Sequence, residues 1–129
     1  MQRDIPTVRA EVEAAFAAYE RALTGNDVTV LDAIFDTTPQ TIRFGIAENL
    51  YGAGEIAAFR AARPPAGLQR RLQRTVITTY GEDFAAASTL FTRDGAPGRI
   101  GRQQQSWVRL PQGWRVVAAH VSVIDDPAG

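Results

Sequence analysis

The sequence predicts an α+β fold, with helices segregated from a mainly antiparallel sheet. Three observations lead there. In the N-terminal half, apolar residues recur at three- and four-residue spacing, the period of a helix. The C-terminal half holds four segments of strand length or longer: "LQRRLQRTVITTYG", "DFAAASTLFTRDG", "GRIGRQQQSWVRLPQG" and "WRVVAAHVSVIDD". Gly81, residues 95–98 and residues 111–113 separate them, and such short connections favour a meander. A length of 129 residues with 45% hydrophobic content fits one domain, residues 1–129, with a real core. Helices packed on the concave side of a strongly curved sheet would enclose a cavity.

The first helix is carried by Val8, Val12, Ala15, Phe16, Tyr19, Ala22 and Leu23. Pro6 lies just before it, Thr7 is a candidate cap, and Gly25 stands where a left-handed residue is wanted. A short second helix is expected over residues 28–35, with Leu31, Ile34 and Phe35 on its apolar face and "DTTPQ" as its breaker. Residues 41–46 read as a strand and residues 49–51 as a second short strand or turn. In "GAGEIAAFRAARPP", Ile56, Phe59 and Ala62 give a third helix, stopped by Pro64 and Pro65.

Composition narrows the function. Formal net charge is zero, with a pI near 6.6, which argues against nucleic acid as the main partner. All fourteen basic residues are Arg, so no Schiff-base lysine is available. Without cysteine there are no disulfides or thiolate nucleophiles, and a single histidine excludes a His-rich metal site within one chain. No cofactor or metal is expected. The N-terminus lacks an apolar run of signal-peptide type, and no segment approaches the roughly 20 apolar residues of a membrane span. A soluble, cytoplasmic protein is the expectation.

Strand parity gives a finer reading. In the last strand Trp114, Val116, Ala118, His120 and Ser122 share one face; Arg115, Val117, Ala119, Val121 and Val123 share the other. Both faces are largely apolar, so both are expected to be covered, one by the helices and one by a partner subunit. A homodimer through the sheet face follows as an expectation.

The segments "AYERALTGNDVTVLDAIF", "PQTIRFGIAENLYGAGEIAAFRAARP", "ITTYGEDFAAA", "GRQQQSWVR" and "GWRVVAAHVS" cover most of the chain from Ala18 to Val123. In them the chain resembles the AtzH-like family, formerly a domain of unknown function of the DUF3225 type. That family lies within the NTF2-like superfamily, whose cone-shaped fold also serves SnoaL-like proteins and ketosteroid isomerases. One departure is Asp36, where relatives usually carry an aromatic residue. The resemblance implies chemistry on a small carboxylated urea in nitrogen-compound catabolism, of the type that converts 1,3-dicarboxyurea to allophanate in cyanuric acid breakdown. It also implies a functional association with an amidase-signature enzyme. The family's proposed catalytic residues, one tyrosine of the first helix and one arginine of the following strand, fall on Tyr19 and Arg43 here.

Each candidate has a plainer reading. Arg43 could be a solvated strand arginine. Its neighbours Ile42 and Phe44, the polar "GIAENLYG" after it, and the two parallel hydrogen bonds a guanidinium offers a carboxylate favour a functional role. Tyr19 could be an ordinary core tyrosine; in a cavity its phenol could donate a hydrogen bond or a proton. His120 is more often a core histidine than a catalyst, but histidine is a ready acid or base near neutral pH. Glu48, Asn49 and Tyr51 form a solvated tip or a fold over a cavity mouth. A dianionic substrate needs a second cation, with Arg74 and Arg102 as candidates. Gln103 and Gln105 share a face with Trp107, and face solvent or hydrogen-bond a urea-like core. Three functions compete: a cofactor-independent decarboxylating amidohydrolase, a non-catalytic ligand-binding or amidase-accessory protein, and an isomerase. The isomerase needs a carboxylate base that the acid placement does not supply.

Overall fold

The computed structural model describes residues 1–128. Helices α1 (Pro6–Thr24) and α2 (Val28–Ile34) are followed by strands β1 (Ile42–Phe44) and β2 (Asn49–Tyr51) and helix α3 (Ala53–Ala62). Strands β3 (Arg71–Tyr80), β4 (Phe84–Thr92), β5 (Arg99–Leu110) and β6 (Gly113–Asp125) complete the chain. They form one curved six-stranded sheet in the order β2-β1-β6-β5-β4-β3. Every pairing is antiparallel except β1 with β6, which is parallel. The layout is the expected one.

Local chemistry sets the ends of the helices. Pro6 opens α1, where its missing N–H costs nothing, and Thr7 makes no cap. The left-handed residue after α1 is Asn26 (φ 50°), while Gly25 keeps a helical φ of −88°. Asp27 caps α2 by accepting from Val30 N at 3.2 Å. Arg63, extended as a residue before proline should be, ends α3. The stripe Val8, Val12, Phe16, Tyr19, Ala22 and Leu23 of α1 is buried as its spacing requires. It packs with Leu31, Phe35 and Ile56 on Ile77, Ala85, Ala87, Trp107, Trp114, Val116 and Ala119 of the sheet. Each large apolar side chain so buried contributes about 1.5–3 kcal/mol.

The parity expected of β6 fails at one point. Trp107 pairs with Val116 and Ser106 with Ala118, so Val117 is an extra residue in a bulge. Beyond the bulge the faces exchange. Trp114 and Val116 therefore share the helix-covered face with Ala119 and Val121, and His120 is turned to the outer face. A second irregularity, between Gln73 and Val76, holds Arg74 at a left-handed φ of 54°. No helix of the described residues is long and apolar enough to cross a membrane.

Candidate functional site

Between α1, α3 and the concave face of the sheet lies a cavity of about 280 Å³. Tyr19 and Arg43 both line it, with Phe59, Val121 and Gln103. Tyr19 reaches it because it stands on the buried stripe of α1, one turn after Phe16, with its ring centroid 6.2 Å from that of Phe35. Arg43 reaches it because β1 is hydrogen-bonded beside β6 with Arg43 opposite Ala119, on the concave face. Its neighbours Ile42 and Phe44 turn to the outer face, where Phe44 meets His120 edge-on at 6.1 Å.

Arg43 is held in place by Glu48. The two side chains are 13% and 21% exposed, and Arg43 Nη1 donates to Glu48 Oε1 at 2.9 Å. Glu48 Oε2 accepts from Ala47 N at 3.1 Å. A Cβ at position 45 would lie 1.7 Å from Glu48 Oε1, so Gly45 makes room for the carboxylate. Ala47 and the exposed Ile46 form one rim of the cavity, and Gly67 and Leu68 another.

Three further arginines line the same cavity: Arg63, Arg70 and Arg93. Arg70, with a side chain only 2% exposed, is neutralised by Glu20: its Nε donates to Oε2 at 3.0 Å and its Nη2 to Oε1. Its Nη2 also donates to Gln103 Oε1 at 3.0 Å. The Phe91 ring lies under both Arg70, 4.5 Å away, and Arg93, 4.8 Å away. It takes this position because Gly101 opposite has no Cβ; one there would stand 2.0 Å from the ring. Burial, and then the charge of Arg43, hold Arg63 below arginine's ordinary range; Tyr19 and Glu48 act against the shift. Burial, and then the charge of Arg70, do the same to Arg93. Arg60 is also lowered by burial, but it lies behind the site, bonded to Asp32 at 3.0 Å and stacked on Phe35.

Several expected site residues lie elsewhere. Arg74, Arg102 and His120 are exposed on the outer face, around a hollow of about 700 Å³ with Ser88, Gln104 and Ser122. That hollow is larger than the inner cavity, but it holds no buried charge and neither Tyr19 nor Arg43. Asn49 is exposed on β2, where Leu50 takes the buried side, and Tyr51 meets Phe44 edge-on outside. Of "ENLYG", only Glu48 enters the cavity. Asp36 uses its backbone to bond Val116 and Thr41 and does not line the cavity. Gln103 and Gln105 are buried, not solvated; Gln105 accepts from Trp107 Nε1 at 3.0 Å. The further cations that line the cavity are Arg63, Arg70 and Arg93, none of them among the residues expected from the sequence. A faint signal existed in β4, where period-two counting from Ala85 and Ala87 puts Phe91 on the concave face, with Arg93 following at the strand's end.

Among the described residues no three His, Asp or Glu side chains cluster as metal ligands. The arrangement offers guanidiniums for carboxylates and a phenol for hydrogen bonding or proton transfer.

A curved, mostly antiparallel sheet with helices over its concave face, and a polar cavity between the two layers, defines an NTF2-like protein. Within that class the chain belongs to the AtzH-like family, which it matches over residues 1–127. A crystal structure of a DUF3225-family protein from Pectobacterium atrosepticum, described as of unknown function, is similar at 59% identity, with a TM-score of 0.93 and 95% of each chain covered. A cystatin-like fold protein from Burkholderia xenovorans is similar at 50% identity and a TM-score of 0.94, covering 98% of this chain and 99% of that one. An NTF2-like superfamily protein from Salmonella enterica, at 24% identity, a TM-score of 0.74 and 94% of each chain covered, shares the fold. No curated protein matches the chain.

Proposed function

We propose that this protein is a cofactor-independent, decarboxylating amidohydrolase acting on a carboxylated urea, of the 1,3-dicarboxyurea to allophanate type. The observation that carries the reading is that Tyr19 and Arg43, from separate elements, line one small cavity. In the reaction the bond between a terminal nitrogen and its carboxylate carbon breaks. Carbon dioxide leaves, and the electron pair stays on nitrogen, delocalised toward the urea oxygen. A guanidinium at that oxygen stabilises the developing negative charge, the role given to Arg43. The nitrogen takes one proton, the role given to the Tyr19 phenol, which solvent then reprotonates. The carboxylates near the cavity, Glu20 and Glu48, are each tied to an arginine, so among the described residues lining it no unpaired carboxylate stands ready as the base an isomerase needs.

The test is turnover of 1,3-dicarboxyurea, generated in place by an amidase-signature enzyme, by purified protein and by Arg43→Ala and Tyr19→Phe. Full activity in both variants would sink the assignment. Binding without product formation, with co-purification of the amidase, would identify an accessory protein instead. We also propose a homodimer through the outer sheet face, supported by the apolar side chains of Ile42, Phe44 and the 58%-exposed Val76. A monomer by light scattering at micromolar concentration would remove it.

A further inference from the structure

The cavity's charges do not balance. Arg43, Arg63, Arg70 and Arg93 face it, while only Glu48 and Glu20 oppose them, leaving a net charge of +2 among the described residues. The excess is localised. Arg43 and Arg70 own the two carboxylates. Arg63 Nε and Nη2 and Arg93 Nε are buried and have no hydrogen-bond partner among the described residues, and the same holds for Gln103 Nε2. Buried guanidinium donors left unmet by protein cost stability. Arg93 is nonetheless held firmly, stacked on the Phe91 ring that Gly101 admits. The backbone of Arg63 is set by its place between the end of α3 and Pro64.

We propose that Arg63 and Arg93 are the anion-recognition residues of this cavity, supplying the uncompensated charge that makes it select small dicarboxylates over monocarboxylates. The inference deepens the proposed function and rests on it for the natural ligand, but dianion preference needs no turnover to be seen. The lowered titration of both groups agrees: burial is its first cause, followed by the charge of Arg43 on Arg63 and of Arg70 on Arg93. The penalty of burying them is present at every pH near neutrality. Stability would rise with pH only where the folded chain has lost a proton that the unfolded chain keeps, far above neutral. Substitution, not pH, therefore exposes it.

The probes are malonate and acetate, titrated calorimetrically at fixed ionic strength into wild-type protein, Arg63→Gln, Arg93→Gln and Arg63→Lys. Wild type is expected to bind malonate more tightly than acetate. Each Gln variant should lose about 10-fold or more in malonate affinity, the worth of a charge-assisted hydrogen bond, and change little toward acetate. Arg63→Lys should recover part of the loss. Without ligand, each Gln variant should melt at or above the wild-type temperature. Undiminished malonate affinity in both Gln variants, no preference in the wild type, or loss of a cooperative melt in the Gln variants would each overturn the inference. Turnover combined with undiminished malonate binding would reject the inference and leave the activity standing. Selective loss of malonate binding in a protein without turnover would do the reverse.

Discussion

Gly45→Ala couples stability and anion binding with opposite signs. The backbone at position 45 accepts alanine, but the new Cβ would lie 1.7 Å from Glu48 Oε1 and 2.4 Å from its Cδ. Both atoms belong to the far end of a flexible side chain, so the carboxylate moves and the 2.9 Å bond to Arg43 is lost. A hydrogen bond between charged groups contributes about 1.5–3 kcal/mol, and the partial exposure of this pair lowers that to about 1–2 kcal/mol. Replacing glycine by alanine restores about 0.4–1 kcal/mol by restricting the unfolded chain. The net loss is about 1 kcal/mol, or a fall of roughly 3–6 °C in Tm for a chain of this size. Meanwhile Arg43 joins the unpaired charges of the cavity, and malonate affinity should rise on the order of 10-fold. Thermal unfolding and calorimetry read the two effects on the same sample, and Glu48→Gln should move both in the same directions. A lower Tm with lower malonate affinity would show that Glu48 positions Arg43 for ligand instead of competing with it.

Three other substitutions follow from the same geometry. Gly101→Ala would place a methyl 2.0 Å from the Phe91 ring; overpacking of this kind costs about 1–3 kcal/mol in chemical denaturation and should also weaken malonate binding by loosening Arg93. Tyr19→Phe keeps the packed ring and removes only the phenol, so turnover of dicarboxyurea should fall about 100-fold or more with little change in Tm. His120→Ala changes a residue of the outer face, on the far side of the sheet from the cavity, so with the dimer intact turnover should stay within about 2-fold of wild type.

Periodicity and turn chemistry made the architecture legible. The α1 stripe, the proline stop after α3 and the glycine-separated strands each gave one element from local rules. What was illegible depended on long-range pairing. The parallel placement of β1 beside β6 has no local signal, yet it is what turns Arg43 inward. The bulge at Val117 exchanges the faces of β6, so counting by twos from Trp114 put His120 on the wrong side. Arg63, Arg70 and Arg93 were unremarkable among fourteen arginines; only the closure of the cone gathers them. Tyr19 and Arg43 were singled out through family resemblance, and the fold brings them to one cavity.

The most direct measurement is a double-mutant cycle on kcat/KM for dicarboxyurea, using wild type, Arg43→Lys, Tyr19→Phe and the double variant. If both residues act on one substrate in one cavity, each single change lowers kcat/KM by about 100-fold or more, and the double variant falls well short of the product of the two losses. Losses that multiply fully would mean that the two residues act independently and not together on one substrate, and wild-type rates in either single variant would contradict the shared site outright.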